Sequence, residues 1–204
     1  MKIRSSFRRM SFYFILLQLV MLRADRAVSR QYDESQAYRV YSDILSGRYF
    51  ANGAERRWLI ETETADAGYD LSSDSLEKCF PAQNESDFSN WQPLLDLKRE
   101  TRIPRLLEDR FDSRVHVRLV SRDRLDAEIN ENGVLWAGFE KRYSDYSGIL
   151  SLSSVGFNDT KDRALVYVSF VCGNLCGGAH FYTLEKRHGI WQIIEPAASC
   201  VIYY

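Results

Sequence analysis

The chain has 204 residues and a formal net charge of −1, which is enough length for one domain with a substantial core. Hydrophobic residues at 45% and charged residues at 27% exclude wholesale disorder. Four Trp, twelve Tyr and eleven Phe, set among short segments of period two, point to a β-rich protein.

The first residues differ from the rest. Lys2, Arg4, Arg8 and Arg9 precede a run of thirteen apolar or weakly polar residues, Met10 to Leu22. A membrane span needs about twenty such residues, whereas a secretory signal core needs fewer. The pattern predicts a signal peptide over 1–27, with an uncleaved membrane anchor through residues 10–22 as the alternative. Ala24 and Ala27 are the small residues near the cleavage region, and neither completes an A-x-A pattern. Without residues 1–27 the chain keeps twenty-one basic and twenty-seven acidic side chains, a net charge of −6. An acidic domain with no basic, aromatic-rich stripe has no electrostatic reason to bind nucleic acid, so that class is set aside. Membrane contact is expected only through the N-terminal segment.

In chain order, a helix is predicted from about Asp33 to Ser46, where Ala37, Val40, Tyr41, Ile44 and Leu45 recur at helical spacing. Gly47 suits its C-terminal stop. "RRWLIETET" (Arg56 to Thr64) reads as a strand, with Leu59, Glu61 and Glu63 on one side and Trp58 and Ile60 on the other. Residues 65–114 are irregular. A short helix carries Leu76 and Cys79, and "SDFSNWQPLLDL" is helical but interrupted by Pro93. "VHVRLVS" (Val115 to Ser121) alternates as a strand, and two short amphipathic helices follow near Arg122–Ile129 and Leu135–Tyr143. From Gly148 the period becomes two. "GILSLSSVGF", "ALVYVSFVC", "AHFYTLEKR", "IWQIIE" and "CVIYY" are five candidate strands, with Asn158–Asp162 as a turn and His188-Gly189 as a tight hairpin signal. The strand at 164–171 is apolar on both faces and is therefore expected at the centre. The fold class that follows is α+β: short helices packed on a C-terminal antiparallel meander of about five strands, in a single domain over 28–204.

"SVGFN…ALVYVSFVCGNLCGG…YTLEKRHGIWQI" resembles a motif set found in a family of uncharacterised exported bacterial proteins. The helix near Tyr38–Leu45 and "EDRF" at 108–111 fit the same pattern, so the likeness extends over most of the chain after residue 27. That family has no assigned activity. The resemblance implies export and an α+β fold, and carries no chemistry.

"CGNLCGGAH", Cys172 to His180, is the one stretch with the residue types of a reactive site. Its spacing resembles the ligand loop of the dinuclear copper site in cytochrome oxidase, with Cys172, Cys176 and His180 at the matching positions. The methionine that loop requires is Thr183 here, and a second histidine would have to be His116 or His188. Zinc would need a fourth ligand such as Cys200, and the gaps are wide for a zinc knuckle. A thiolate enzyme would need activation of Cys172 or Cys176 by His180 or a helix N-terminus, and a strand follows the motif instead. The favoured reading is a disulfide-tied bend, with Gly173, Gly177 and Gly178 permitting the reversal. Four cysteines allow three pairings, of which Cys172–Cys176 with Cys79–Cys200 is chosen on the proximity of the first pair. His180 is then only a residue at the start of the next strand.

Other candidates are weaker. Glu61 and Glu63 could be a carboxylate pair, but alternate positions among threonines read as a solvated strand face. His116 reads as an ordinary strand histidine and His188 as a turn residue. Asn84-Glu85-Ser86 and Asn158-Asp159-Thr160 match the glycosylation pattern by sequence alone. No phosphate loop, nucleophile elbow or metalloprotease helix motif occurs. No cofactor is implied and no ligand or partner is named. The sequence therefore predicts an exported, non-catalytic binding or interaction domain of the cell envelope. The alternative is a thiol- or metal-dependent protein centred on Cys172, Cys176 and His180.

Overall fold

The computed structural model describes residues 32–47, 56–65, 91–129 and 136–194. By its contacts the chain divides into Met1–Asp33 and Glu34–Tyr204, and every element described lies in the second unit. These are helix α1 (Glu34–Leu45), strand β1 (Arg57–Glu61), α2 (Gln92–Glu100), β2 (His116–Val120), α3 (Arg122–Ile129) and α4 (Ala137–Arg142). Then come β3 (Ile149–Leu152), β4 (Gly156–Phe157), β5 (Arg163–Gly173), β6 (Cys176–Arg187) and β7 (Ile190–Ile193). The signal segment 1–27, the helix expected around Leu76 and Cys79, and the strand expected at Cys200–Tyr204 lie outside the described residues. Among the described residues no helix is long and apolar enough to cross a membrane.

The α+β content is as expected, but the sheet is not an antiparallel meander. Its seven strands run β2-β1-β3-β5-β6-β7, with β4 paired to β5 beside β3. β1 is parallel to both of its neighbours, pairing Trp58 with Val117 on one side and Ile60 with Leu150 on the other. Parallel neighbours require crossover connections of a dozen or more residues. Here the chain between β1 and β2 includes α2, and that between β2 and β3 includes α3 and α4. Strands 57–61 and 116–120 have no hairpin partner in the sequence, so their pairing to each other and to the C-terminal half was not readable from local pattern.

β1 carries the buried run that a strand between two parallel neighbours needs. Leu59 and Ile60 are fully buried and Trp58 nearly so. Leu59, Val120 and Ile149 form a core cluster with Leu125 of α3, Phe139 of α4 and Tyr143 just after it. β2 ends the sheet order, and its expected apolar face at Val117 and Leu119 is only half-buried.

In the antiparallel half, β5 is central as predicted, with β3 and β4 on one edge and β6 on the other. Leu165, Val166, Tyr167 and Val168 are all buried, so both of its faces are covered. The strand expected over 148–157 is broken. Ser153 and Ser154, both fully buried, divide it into β3 and β4. The Ser153 hydroxyl accepts the Tyr167 N–H at 2.9 Å, and the Ser153 carbonyl accepts the Tyr41 hydroxyl of α1 at 2.7 Å. Polar groups buried at a strand break are satisfied in this way by side chains instead of the ladder. β6 turns into β7 at His188 and Gly189, both with positive φ (52° and 83°), which is the two-residue hairpin geometry the His-Gly pair predicts.

Pro93 does not interrupt a helix. It lies in the first turn of α2, where a missing N–H costs nothing because that donor has no helical acceptor. α2 lies directly against β4. A Cβ on Gly156 would sit 2.0 Å from the Pro93 carbonyl oxygen and 2.4 Å from the Leu97 nitrogen, both backbone atoms that no side-chain rotation can move. Gly156→Ala is therefore expected to push α2 off the sheet, at an overpacking cost of about 1–3 kcal/mol. Urea unfolding measures it, and an unchanged midpoint would show that helix and strand are not in this contact.

Candidate functional site

The predicted cysteine pair is formed. Cys172 and Cys176 are joined by a disulfide, with their Cα atoms 5.0 Å apart, across the tip of the β5–β6 hairpin. The strands reach further than expected, to Gly173 and Cys176, so Asn174 and Leu175 alone make the turn. The five-residue loop contributes about 2 kcal/mol by the chain-entropy model, a local staple on an exposed tip. Cys79 and Cys200 lie outside the described residues.

His180 does not join the cysteines. It pairs with Val168 in the middle of β6 rather than starting the strand. At the rise of an extended chain, four residues separate its Cα from that of Cys176 by about 13 Å, whereas one ion is bound by atoms about 2.0–2.3 Å from it. Its ring lies between Phe170, stacked at 5.9 Å and 10°, and Tyr182 at 5.7 Å. Burial holds the imidazole below its usual value, and Nδ1 is buried without a hydrogen-bond partner among the described residues. The ring is packed in an aromatic stack. His116 is exposed on β2, three strands from β5 in the sheet order, and His188 is a turn residue at the end of β6 opposite the disulfide. Among the described residues no three His, Cys, Asp or Glu side chains come close enough to share a metal ion.

The chemically richer place lies elsewhere, at the carboxyl ends of the three parallel strands. From β1 the chain leaves to β2 on one side and later enters β3 on the other. In open sheets with parallel strands, diverging connections of this kind leave a crevice beyond the strand ends. A cleft of about 580 Å³ opens there. Glu61, the last residue of β1, and Thr62 to Ala65 after it line the cleft together with Ser121, Arg122 and Asp123, which follow β2. Ser151 of β3 and Tyr167 and Ser169 of β5 complete the sheet side of the wall, and Pro104 also lines it.

The segment after β1 is held by backbone bonds on both sides. Thr62 donates its N–H to Val120 and accepts that of Leu107 (3.1 and 2.7 Å), and Ala65 donates to Leu152 at 2.8 Å. The Thr64 hydroxyl accepts the Arg105 N–H at 2.9 Å. The cleft thus has a fixed wall rather than a loose loop.

Glu61 corrects the sequence reading. It does not lie on a solvated face: it is 8% exposed, because residues after β2 and on α3 cover the strand side it shares with Leu59. Glu63, two residues on, is exposed as expected and lies beyond the end of β1 in an isolated bridge with Leu106. The Arg122 guanidinium forms an ion pair with Glu61 Oε1 at 3.1 Å. Burial pushes the Glu61 carboxyl above the ordinary glutamate value; Arg122 and a hydrogen bond from Ser151 pull it down, and Asp126 adds to the rise. Burial wins. A buried carboxyl with a shifted pKa in a cleft is a recognised mark of a functional site. The sequence signal available was the single acid at the end of the run "RWLIE", and nothing local showed that the end would be covered.

A second recess of about 380 Å³ lies between α1, residues 110–114 and the β6–β7 turn. Its arginines are mostly engaged: Arg114 with Asp43 and Asp112, Arg110 with Glu34 and over the Tyr38 ring.

Comparison with models of known families, with curated proteins and with solved structures finds no match.

A carboxyl raised in the folded state holds its proton more tightly there than in the unfolded chain. Stability owed to Glu61 is therefore greatest below the ordinary glutamate value near 4.5 and falls as pH rises from there to Glu61's own value. Glu61→Gln is expected to remove that part of the slope in urea unfolding measured across pH. A slope identical in both proteins would mean that the carboxyl is solvated.

Proposed function

We propose that this chain is an exported, non-catalytic binding domain that holds a small polar molecule in the cleft beyond β1, β2 and β3. One observation carries the reading: a cleft of about 580 Å³ that places a buried, ion-paired carboxyl among hydroxyls on rigid elements. A volume of this order suits a small-molecule ligand. Thr62, Ser121 and Ser169 line it with hydroxyls that have no partner among the described residues, and such groups fix a ligand's orientation. Binding is favoured over catalysis because no described lining residue is a Cys, His or Lys, and Glu61 is already engaged by Arg122 and Ser151. Export rests on the basic start at Lys2–Arg9 and the apolar run Met10–Leu22, followed by an acidic domain.

A thermal-shift screen of amino acids, sugars, amines and dicarboxylates tests the binding reading. A compound present at about a hundred times its dissociation constant adds about 2.7 kcal/mol of stability, a shift of several degrees. At least one compound is expected to stabilise the chain and to lose its effect in Ser169→Phe, which fills the cleft. Stabilisation that survives this change would place the ligand elsewhere. Cell fractionation with N-terminal sequencing tests export: a chain outside the cytoplasm beginning between Arg23 and Gln31 is expected, and an intact Met1 chain in the soluble cytoplasm would contradict it.

A further inference from the structure

We infer that the ligand of this cleft is an organic cation, a molecule bearing one or more protonated amines or guanidines on a small polar body. The inference rests on the cleft being a ligand site, and it comes from how the lining charges are used. Among the described residues three carboxylates line the cleft, those of Glu61, Glu63 and Asp123, against the single guanidinium of Arg122. That guanidinium is engaged by Glu61, so the one cation among the described lining residues is not available to hold an anion without breaking a partly buried pair. Glu63 and Asp123 are both exposed at the mouth, and neither has an ion-pair or hydrogen-bond partner among the described residues. Asp126 adds further negative potential, being close enough to act on Glu61. A cleft with low-dielectric walls focuses such a field on whatever enters.

The cation is not a metal ion. Among the described residues no three acidic, His or Cys side chains are close enough to coordinate one ion, so the carboxylates are spread around the opening. Spread carboxylates suit a molecule with length, whose charged end meets Glu63 or Asp123 while its body reaches the hydroxyls. Tyr167 also lines the wall, an aromatic residue of the type that attracts ammonium groups.

Three five-carbon probes of matched length separate the possibilities: cadaverine as the dication, pentanediol as the neutral molecule and glutarate as the dianion. Each is titrated into the full chain by NMR, following the signals of Glu61, Ser151 and Ser169, and affinities are taken from the shifts. Cadaverine is expected to perturb these signals and to bind at least about tenfold more tightly than pentanediol, with glutarate showing no binding. A tenfold difference corresponds to about 1.4 kcal/mol. The double variant Glu63→Gln/Asp123→Asn alters only exposed side chains, and it should weaken cadaverine at least about tenfold while the chain still unfolds cooperatively. Its melting temperature should be lower by no more than a few degrees, because Asp123 also lies in the first turn of α3. Cadaverine affinity retained in that variant would overturn the inference. Pentanediol or glutarate binding at the cleft signals as tightly as cadaverine would also overturn it, while leaving the cleft as a ligand site. If none of the three moves the cleft signals, both the inference and the cleft reading fall.

Discussion

The parallel pairing of β1 between β2 and β3 is the constraint on which the rest depends. It puts a short strand, Arg57–Glu61, in a position where both edges are hydrogen-bonded and where Leu59 and Ile60 are fully buried. Because both neighbours run the same way, all three strands end at one side of the sheet. Their outgoing segments must then diverge, and the space left between them is the cleft.

The same pairing explains the chemistry of Glu61. A carboxylate is a poor choice for a strand end that is covered, since removing it from water disfavours the charged form. The residues after β2 bring Arg122 to it, and β3 brings Ser151. These partners keep the cost bearable without cancelling it, and the carboxyl remains shifted upward. A buried polar group of this kind contributes little to stability compared with an apolar side chain of the same size. The disulfide, by contrast, ties the tip of the β5–β6 hairpin, which β5 already holds in register through a ten-residue ladder of partners from Arg163 to Gly173.

Local pattern was enough for the helix at 34–45, the central position of β5, the His188-Gly189 turn and the Cys172–Cys176 bond, because each rests on residues near one another in the chain. Pro93 was misread, since its effect depends on where the helix begins, and periodicity does not mark that residue sharply. The break at Ser153 and Ser154 escaped notice because two serines in a strand look like an exposed face until Tyr41 and Tyr167 are brought to them. The cleft was illegible for a stronger reason. Its walls come from segments around 61–65, 121–123, 151 and 167–169, and only the parallel register joins them. The eye-catching cysteine–histidine motif drew attention because its residues are close in sequence, yet along an extended strand four residues are far apart.

Carbon-13 NMR of the Glu61 side-chain carboxyl, followed across pH in the free protein, tests the central claim most directly. The account predicts a titration midpoint above the ordinary glutamate value near 4.5, as a covered strand end requires. A midpoint at or below that value would contradict it, because Glu61 would then lie on a solvated face or be dominated by Arg122, with no buried carboxyl at the base of the cleft.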